Sequence, residues 1–138
     1  MSKTARDIMT TELITVTPAT PLSDFARICA EDNISGAPVV EVDGRLVGVV
    51  SRTDLLQRIL EDGGAYGAEG ELQLPSRDLR QVDDIMQPEV VTVSPTALIE
   101  DIAVQMAENR IHRVVVTEGG KPAGIVTSLD LLAHYASG

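Results

Sequence analysis

The chain is an internal duplication, and this feature limits its fold more than any other. The triplet Asp-Ile-Met at residues 7–9 returns 77 residues later, at residues 84–86. Further along, the separation falls to 76, as Asp54 and Asp130 show, because one residue is missing from a turn of the second copy. A copy of about 60 residues is marginal by itself. We therefore expect the two copies to cover each other's apolar surface.

The duplication divides the chain into three parts. We predict a first repeat over residues 7–60, a glycine-rich acidic spacer over residues 61–81 and a second repeat over residues 82–136. The order predicted for each repeat is strand, helix, strand, strand, helix. In the first repeat the opening strand is expected at residues 13–16 (LITV). Thr20-Pro21 then predicts an N-cap followed by proline at the first helical position.

The first helix of each repeat has one apolar face. Apolar residues recur at the spacing of an amphipathic helix, in which positions i, i+3, i+4 and i+7 share a side. These residues are Leu22, Phe25, Ala26 and Cys29 in the first repeat, and Ile99, Ile102, Ala103 and Met106 in the second. The first of these helices is expected to end near Asp32-Asn33. Cys29 is therefore interpreted as a packed core thiol and not as a nucleophile.

A hairpin follows the helix in both repeats. In the first, Asp43-Gly44 joins a strand at residues 37–42 to one at residues 46–50, and Asp-Gly is a frequent hairpin turn. In the second, Gly119-Gly120 occupies the turn. The spacer is predicted to be a mobile linker first and a ligand lid second. Residues 76–79 could begin a short helix with Leu79, Val82 and Ile85 on one side.

Composition excludes several functional classes. The 138 residues are 43% hydrophobic, no apolar run approaches the roughly 18 residues of a membrane span, and the N-terminus lacks the apolar core of a signal peptide. The single cysteine excludes an internal disulfide. A net charge of −10 and 2% aromatic residues disfavour a nucleic-acid partner. We expect a cytoplasmic protein with neither a nucleic-acid nor a membrane partner.

Two stretches, residues 48–54 and 124–130, share one pattern. Each has glycine, two aliphatic residues, a hydroxyl residue, two other residues and an aspartate, before a leucine pair. The pattern predicts a strand that runs into a helix, where uncapped N–H groups and the helix dipole attract a phosphate. The aspartates, Asp54 and Asp130, can accept hydrogen bonds from ribose hydroxyls. The same spacing also fits an ordinary capping box, so both interpretations stay open.

In their order and duplication, these segments resemble the tandem cystathionine-beta-synthase (CBS) domain, or Bateman module. The matching segments cover nearly the whole chain and are the Asp-Ile-Met starts, both Gly-to-Asp stretches, and residues 14–18 (ITVTP), 34–40 (ISGAPVV) and 111–116 (IHRVVV). The resemblance implies an α/β (α+β) fold of two β-α-β-β-α repeats, packed as a stand-alone pseudo-twofold pair. It also implies two clefts between the repeats that hold an adenosine-containing ligand, namely AMP, ADP, ATP or S-adenosylmethionine.

The resemblance implies a set of residues for each cleft. Adenine would lie against one repeat, while Ser51 or Thr127 donates to the α-phosphate, the aspartate accepts from the ribose, and Arg52 or Arg113 adds charge-assisted bonds. The first cleft would use Ile14, Ile34, Ser35, Gly36, Ala37, Pro38, His112, Arg113, Thr127 and Asp130. The second would use Val91, Ile111, His112, Arg113, Val114, Ser51, Arg52 and Asp54. No catalytic residue, metal ligand or catalytic cofactor is implied.

The expected function is that of a regulatory module. It would sense an adenosine-containing nucleotide and signal to an unknown partner protein in trans. An enzyme is not expected, because no Cys-His pair with an orienting acid, no H-E-x-x-H or C-x-x-C spacing and no phosphate loop occurs. Two alternatives stay open: a structural dimerisation module with empty clefts, and a Mg²⁺ sensor, which the acidic charge would suit.

The helices that follow the two junctions carry more apolar residues than one buried face requires. The residues concerned are Leu55, Leu56, Ile59, Leu60, Leu131, Leu132 and Tyr135. An excess of exposed apolar side chains on a helix indicates a contact surface. We therefore predict a homodimer that forms through these helices.

Overall fold

A computed structural model describes residues 3–61 and 80–137 in full, and the backbone of residues 65–66 and 72–73. The helices are α1 (Ala5–Ile8), α2 (Leu22–Asp32), α3 (Arg52–Glu61), α4 (Ile99–Asn109) and α5 (Ser128–Ala136), with a 3-10 turn at Val82–Asp84. The strands are β1 (Gly36–Val40), β2 (Leu46–Ser51), β3 (Ala65–Tyr66), β4 (Leu72–Gln73), β5 (Thr92–Val93), β6 (Arg113–Glu118) and β7 (Lys121–Thr127). The predicted α+β class is confirmed. Within the described ranges, no helix has the length and apolarity to cross a membrane.

Two compact units divide the chain, and they do not coincide with the two sequence repeats. Unit 1 comprises Met1–Ile14, Gly44–Leu46 and Glu89–Gly138, whereas unit 2 comprises Thr15–Asp43 and Val47–Pro88. The first 14 residues therefore belong with most of the second repeat, and residues 82–88, which begin the second repeat, belong with most of the first. Each unit has its own cluster of buried apolar residues.

Unit 1 contains a three-stranded sheet in the order β5-β6-β7. Strand β5 runs parallel to β6, with α4 as the connection, and β6 pairs antiparallel with β7. Gly119 and Gly120 form the turn with φ of +59° and +79°, a backbone that glycine adopts without strain and that tight hairpins need. The element order predicted for the second repeat is confirmed.

Unit 2 contains the two-stranded sheet of β1 and β2 with helices α2 and α3. The prediction of a strand over residues 13–16 is wrong, because only Val16 forms a bridge to β1. In the second repeat, the N–H of Val115 donates to the carbonyl oxygen of Val91 at 3.2 Å. The equivalent residue of the first repeat is Pro38, which has no N–H. Proline thus removes the bond that would extend the strand.

The start of α2 differs from its prediction by one residue. Pro21 is the N-cap, with extended φ and ψ of −60° and 144°, and the helix begins after it. The Thr20 hydroxyl is not a cap, since it accepts a 3.0 Å hydrogen bond from the N–H of Thr17. The predicted end at Asp32 is confirmed, and Asn33 follows with a left-handed φ of +52°, as is common after a helix.

The first hairpin also differs from its prediction. Strand β1 ends at Val40, so the predicted extension to Val42 is wrong, and the Val42 side chain is 99% exposed. Within the spacer, β3 pairs antiparallel with β4, and its role as linker or lid stays a prediction. The helix predicted at residues 76–79 lies outside the described residues. Val82 and Ile85, which were expected beside it, are buried in the core of unit 2.

The apolar faces predicted for α2 and α4 are confirmed. Phe25 is fully buried at the centre of the unit 2 core, and Ile102, at the equivalent position of the second repeat, is fully buried in unit 1. Cys29 packs against the edge of the unit 2 core. Burial raises the pKa of the Cys29 thiol, against the opposing charge of Arg52. The thiol is thus kept in its less nucleophilic protonated form, in agreement with a packing role.

A short segment closes each unit by pairing with the strand that leads into its last helix. In unit 1, Thr10 forms an antiparallel bridge with Ile125 of β7, with N–H···O distances of 2.9 and 3.0 Å. In unit 2, Gln87 forms the same bridge with Val49 of β2, with distances of 2.8 and 3.0 Å. We call residues 3–10 the N-terminal segment and residues 80–87 the central segment. The duplication thus includes these two segments and the strand that each of them pairs with.

A methionine of each closing segment covers the glycine that begins the Gly-to-Asp pattern. A Cβ added to Gly124 would lie 2.6 Å from the Met9 sulfur, and one added to Gly48 would lie 2.9 Å from the Met86 sulfur. Atoms this close cannot coexist without a shift of one of them. The glycine of the pattern therefore serves packing in both repeats.

Candidate functional site

The junction of β2 and α3 forms a capping box. The Ser51 N–H donates to Oδ2 of Asp54 at 3.0 Å, and the Asp54 N–H donates to the Ser51 hydroxyl oxygen at 3.0 Å. The Arg52 N–H donates to the carbonyl oxygen of Ser35 at 2.9 Å. These bonds use three of the four N–H groups that a helix start leaves without intrahelical partners. They give no acceptor to the fourth, the N–H of Thr53.

The junction of β7 and α5 repeats this geometry. The Thr127 N–H donates to Oδ2 of Asp130 at 2.8 Å, and the Asp130 N–H donates to the Thr127 hydroxyl oxygen at 3.2 Å. The Ser128 N–H donates to the carbonyl oxygen of His112 at 2.8 Å. The N–H left without an acceptor by these bonds is that of Leu129. The two junctions are therefore equivalent in their capping bonds.

These bonds decide between the two interpretations of the pattern only in part. The capping-box interpretation is confirmed for both junctions. A box does not use every group, because a hydroxyl that accepts one bond can still donate its own hydrogen, and a carboxylate has a second oxygen. Ser51, Asp54, Thr127 and Asp130 are all only partly buried, so solvent reaches them. Capping and ligand binding are thus compatible.

An arginine accompanies each of the two hydroxyl residues. Arg52 is exposed and directly follows Ser51 in the chain. Arg113 is paired opposite Thr127 across β6 and β7, which places both side chains on one face of the sheet. The arginines occupy different positions of the two repeats, yet both lie beside the junction of their own repeat. A guanidinium, a hydroxyl and one N–H at a helix start are groups that bind phosphate.

The remaining residues predicted for the clefts divide by burial. Ser35 and His112 are exposed at equivalent positions, and Gly36 is partly buried. Three residues are buried, and these are Ala37, Pro38 and Val114. Four are partly buried and keep an accessible surface, and these are Ile14, Ile34, Val91 and Ile111.

The structure groups some of the predicted residues within a unit. In unit 2, Ser35 lies against Arg52, and in unit 1, His112 lies against Ser128, through the backbone bonds described above. The start of β1 thus lies beside the junction of the first repeat, and the start of β6 lies beside the junction of the second. The predicted clefts combine residues of both units, and those combinations stay predictions.

One neighbour of a junction was missed by the sequence analysis. The side-chain amide nitrogen of Gln87 donates to Oδ1 of Asp54 at 3.4 Å. Both residues border a polar crevice of about 210 Å³ in unit 2. The only signal in the sequence is the position of Gln87, 77 residues after Thr10 and one residue after the repeated Asp-Ile-Met.

The apolar residues predicted to form a dimer surface divide into two groups. Three form the buried face of their helix, against the core of their own unit, and these are Leu55, Ile59 and Leu131. Four are exposed, at 47% to 62%, and these are Leu56, Leu60, Leu132 and Tyr135. An open groove of about 530 Å³ lies between α4 and α5 of unit 1, lined in part by Met106, Ile111, Leu132 and Tyr135. The exposed apolar excess on α3 and α5 is therefore real.

Metal ligands do not cluster in the described part of the chain. Among these residues, no group of three or more His, Cys, Asp or Glu side chains is placed to hold a metal ion. The alternative of a Mg²⁺ sensor therefore has no ligand set there, since hard cations need several oxygen ligands that converge on one point.

Sequence comparison finds one family. The family model of the CBS domain matches residues 5–61 and again residues 82–137. The uncharacterized protein MJ1426 of Methanocaldococcus jannaschii is 32% identical, over 92% of this chain and 88% of that protein. The CBS domain-containing protein YhcV of Bacillus subtilis is 30% identical, over 96% of this chain and 85% of that protein.

Solved structures agree with the sequence comparison. The structure of CBSX2 in complex with AMP has a TM-score of 0.76 at 27% identity, and covers 97% of this chain and 96% of that chain. The CBS domain pair of MJ0100, in complex with 5-methylthioadenosine and S-adenosyl-L-methionine, has a TM-score of 0.80 at 22% identity, with 99% and 98% covered. The CBS domain of a bacterial CNNM/CorC family Mg²⁺ transporter, in complex with ATP, has a TM-score of 0.77 at 24% identity, with 97% and 87% covered. With two family matches that span both repeats, the chain belongs to the CBS-domain family as a pair of CBS domains.

Proposed function

We propose that this CBS pair is a regulatory module that binds an adenosine-containing ligand at its two Gly-to-Asp junctions and passes its occupancy to a partner protein. The observation that carries the proposal is the equivalence of the junctions. Each has a hydroxyl, an aspartate and an arginine in one small region that solvent reaches. The complexes of CBSX2, MJ0100 and the transporter domain support adenosyl compounds as the ligand class.

The roles follow from hydrogen-bond capacity. The hydroxyl hydrogens of Ser51 and Thr127 would donate to a phosphate, or to another acceptor attached to the ribose, because the capping bonds use these side chains only as acceptors. Arg52 and Arg113 would add charge-assisted bonds to a phosphate. Oδ1 of each aspartate would accept from the ribose hydroxyls. The apolar residues of the predicted clefts would contact the adenine.

The Asp54→Asn/Asp130→Asn double variant is expected to lose ligand binding while it retains its fold. The asparagine carbonyl oxygen can still accept from the N–H of Ser51 or Thr127, so the helix caps persist, whereas the carboxylates that would accept from ribose are gone. For the unchanged protein, a ligand at about 100 times its Kd should add about 2.7 kcal/mol to the free energy of unfolding. Thermal shift with AMP, ADP, ATP and S-adenosylmethionine measures both proteins, with GMP as the base control.

The matched control is Asp7→Asn. Asp7 also accepts from the N–H of its capping residue, Thr4, at 2.8 Å, and the hydrogen bonds from Thr4 lower the pKa of Asp7. It lies outside both junctions, so its replacement should leave the ligand-induced shift unchanged. The proposal is wrong if no adenosyl compound stabilises the unchanged protein, because the junctions would then be helix caps alone.

We further propose that the module is a homodimer that forms through the exposed apolar faces of α3 and α5. Light scattering after size exclusion should give about twice the chain mass of 14.7 kDa. Leu132→Asp places a charge on the exposed face of α5 and should reduce the mass to that of one chain. Val42→Asp is the control, because Val42 is 99% exposed and lies outside both helices. A single-chain mass for the unchanged protein at micromolar concentration would exclude the homodimer.

A further inference from the structure

Both carboxylate oxygens of Asp54 have a hydrogen-bond donor in this structure. Oδ2 accepts from the N–H of Ser51 at 3.0 Å, which is the capping bond. Oδ1 accepts from the side-chain amide of Gln87 at 3.4 Å. The second bond is long, and Gln87 is exposed, so this donor is held weakly. Oδ1 is also the oxygen that remains for a ligand once the capping box is formed.

The second repeat lacks this amide. Thr10 occupies the position of Gln87, and it pairs with Ile125 as Gln87 pairs with Val49. A threonine side chain has no amide and is shorter by two atoms, so it does not supply the same donor. Within residues 3–61 and 80–137, Asp130 has the same kind of capping bond as Asp54, because its Oδ2 accepts from the N–H of Thr127. The two junctions, otherwise equivalent, thus differ at the oxygen that would face a ribose.

The surroundings of Asp54 favour hydrogen-bond donors over a phosphate. The polar crevice beside it is bordered by three carboxylates, those of Asp54, Glu61 and Asp84. Its one arginine, Arg58, donates to the carbonyl oxygen of Asp84 at 3.1 Å and lies 3.8 Å from a carboxylate oxygen of Glu61. An acidic crevice repels an anion and accepts hydroxyl hydrogens. The ribose hydroxyls of a ligand would therefore face the crevice, and its phosphate would face Ser51 and Arg52.

We propose that Gln87 competes with the ligand for Oδ1 of Asp54, and so makes the junction of the first repeat the weaker of the two ligand sites. The inference rests on the proposed function, in which Asp54 accepts from ribose hydroxyls. The backbone of Gln87 is fixed by its two bonds to Val49, so only the side chain has to rotate away when a ligand binds. Gln87 is thus a residue that sets the affinity of the site without contacting the phosphate or the base.

The test isolates one junction at a time by calorimetric titration with AMP. In an Asp130→Asn background only the Asp54 junction can bind fully, and Gln87→Thr should tighten the Kd about threefold, near the low end for one net hydrogen bond because this bond is long. Gln87→Met, which keeps the length of the side chain but has no donor, should tighten it equally. In an Asp54→Asn background, Thr10→Gln should weaken the Kd of the Asp130 junction by a similar factor.

Two further measurements separate competition from a general effect. Gln105→Thr removes an amide from α4, which is part of neither Gly-to-Asp stretch, and should leave either Kd unchanged. The side-chain NH₂ signals of Gln87 in a ¹⁵N spectrum should shift when AMP is added, and the same addition should not move them in the Asp54→Asn variant.

The possible outcomes distinguish this inference from the proposed function. If Asp54→Asn removes binding at the first junction while both Gln87 variants leave its Kd within twofold, the competition is wrong and the proposed function stands. If AMP binds with equal affinity in the presence and absence of both aspartates, the role of Asp54 is wrong, and the competition is wrong with it. Absence of AMP binding to the unchanged protein, with ATP and S-adenosylmethionine also inactive, overturns both.

Discussion

Replacement of Phe25 by alanine is expected to lower the free energy of unfolding by about 3 to 5 kcal/mol. Phe25 is fully buried and is the only phenylalanine of the chain, so its removal leaves a large cavity in the core of unit 2. A domain of this size is stable by only about 5 to 15 kcal/mol. Urea denaturation followed by far-ultraviolet circular dichroism measures the loss, since no tryptophan is present for fluorescence.

Two variants define the origin of this effect. Phe25→Leu keeps most of the buried volume and should cost less than about 1.5 kcal/mol. Ile102→Ala empties the equivalent position of unit 1 and should cost about 2 to 5 kcal/mol. A loss below about 1 kcal/mol for Phe25→Ala would contradict the burial of this side chain.

The second large effect is expected for Gly124→Ala, at about 1 to 3 kcal/mol of destabilisation. The added Cβ would lie 2.6, 2.8 and 3.1 Å from three atoms of the Met9 side chain, so either β7 or the N-terminal segment has to move. Because the contact is with a side chain, shortening that side chain should relieve it. The Met9→Ala/Gly124→Ala double variant is therefore expected to be more stable than the sum of the single effects predicts, by about 0.5 to 3 kcal/mol.

The corresponding pair of the first repeat serves as the contrast. A Cβ on Gly48 would lie 2.9 Å from the backbone oxygen of Gln87 as well as 2.9 Å from the Met86 sulfur. A backbone atom cannot be removed by substitution, so Met86→Ala should rescue Gly48→Ala only weakly. Equal rescue in both repeats would show that the close approach to Gln87 is not what excludes a side chain at Gly48.

The fold was largely predictable because the duplication gives each local pattern twice. The amphipathic spacing in α2 and α4 predicts Phe25 and Ile102 as core residues, and both are fully buried. The strand predicted at residues 13–16 is reduced to the bridge of Val16, because Pro38 lacks the N–H that Val115 donates in the second repeat. Comparison of the hydrophobic patterns of the two repeats does not detect the loss of a single backbone N–H at a proline.

The candidate site was predictable in its residue types but not in their bonding. The pattern identified Ser51, Asp54, Thr127 and Asp130, and the structure shows that all four first serve to cap helices. Capping and ligand binding use the same residue types at the same spacing, so sequence alone cannot separate them. The contact of Gln87 with Asp54 joins residues that are 33 positions apart, and it follows from the pairing of the central segment with β2.

The closing segments have a consequence for the order in which the chain can fold during synthesis. Unit 2 is complete once Pro88 has been made, because its closing segment is also its last part in the chain. Unit 1 needs its first residues and its last, as the contact of Arg6 with Glu118, 112 residues apart, shows. Contacts between distant residues slow folding, because the loop between them must be closed before they form. Residues 3–10 are thus synthesised before unit 2 but reach their native contacts after it.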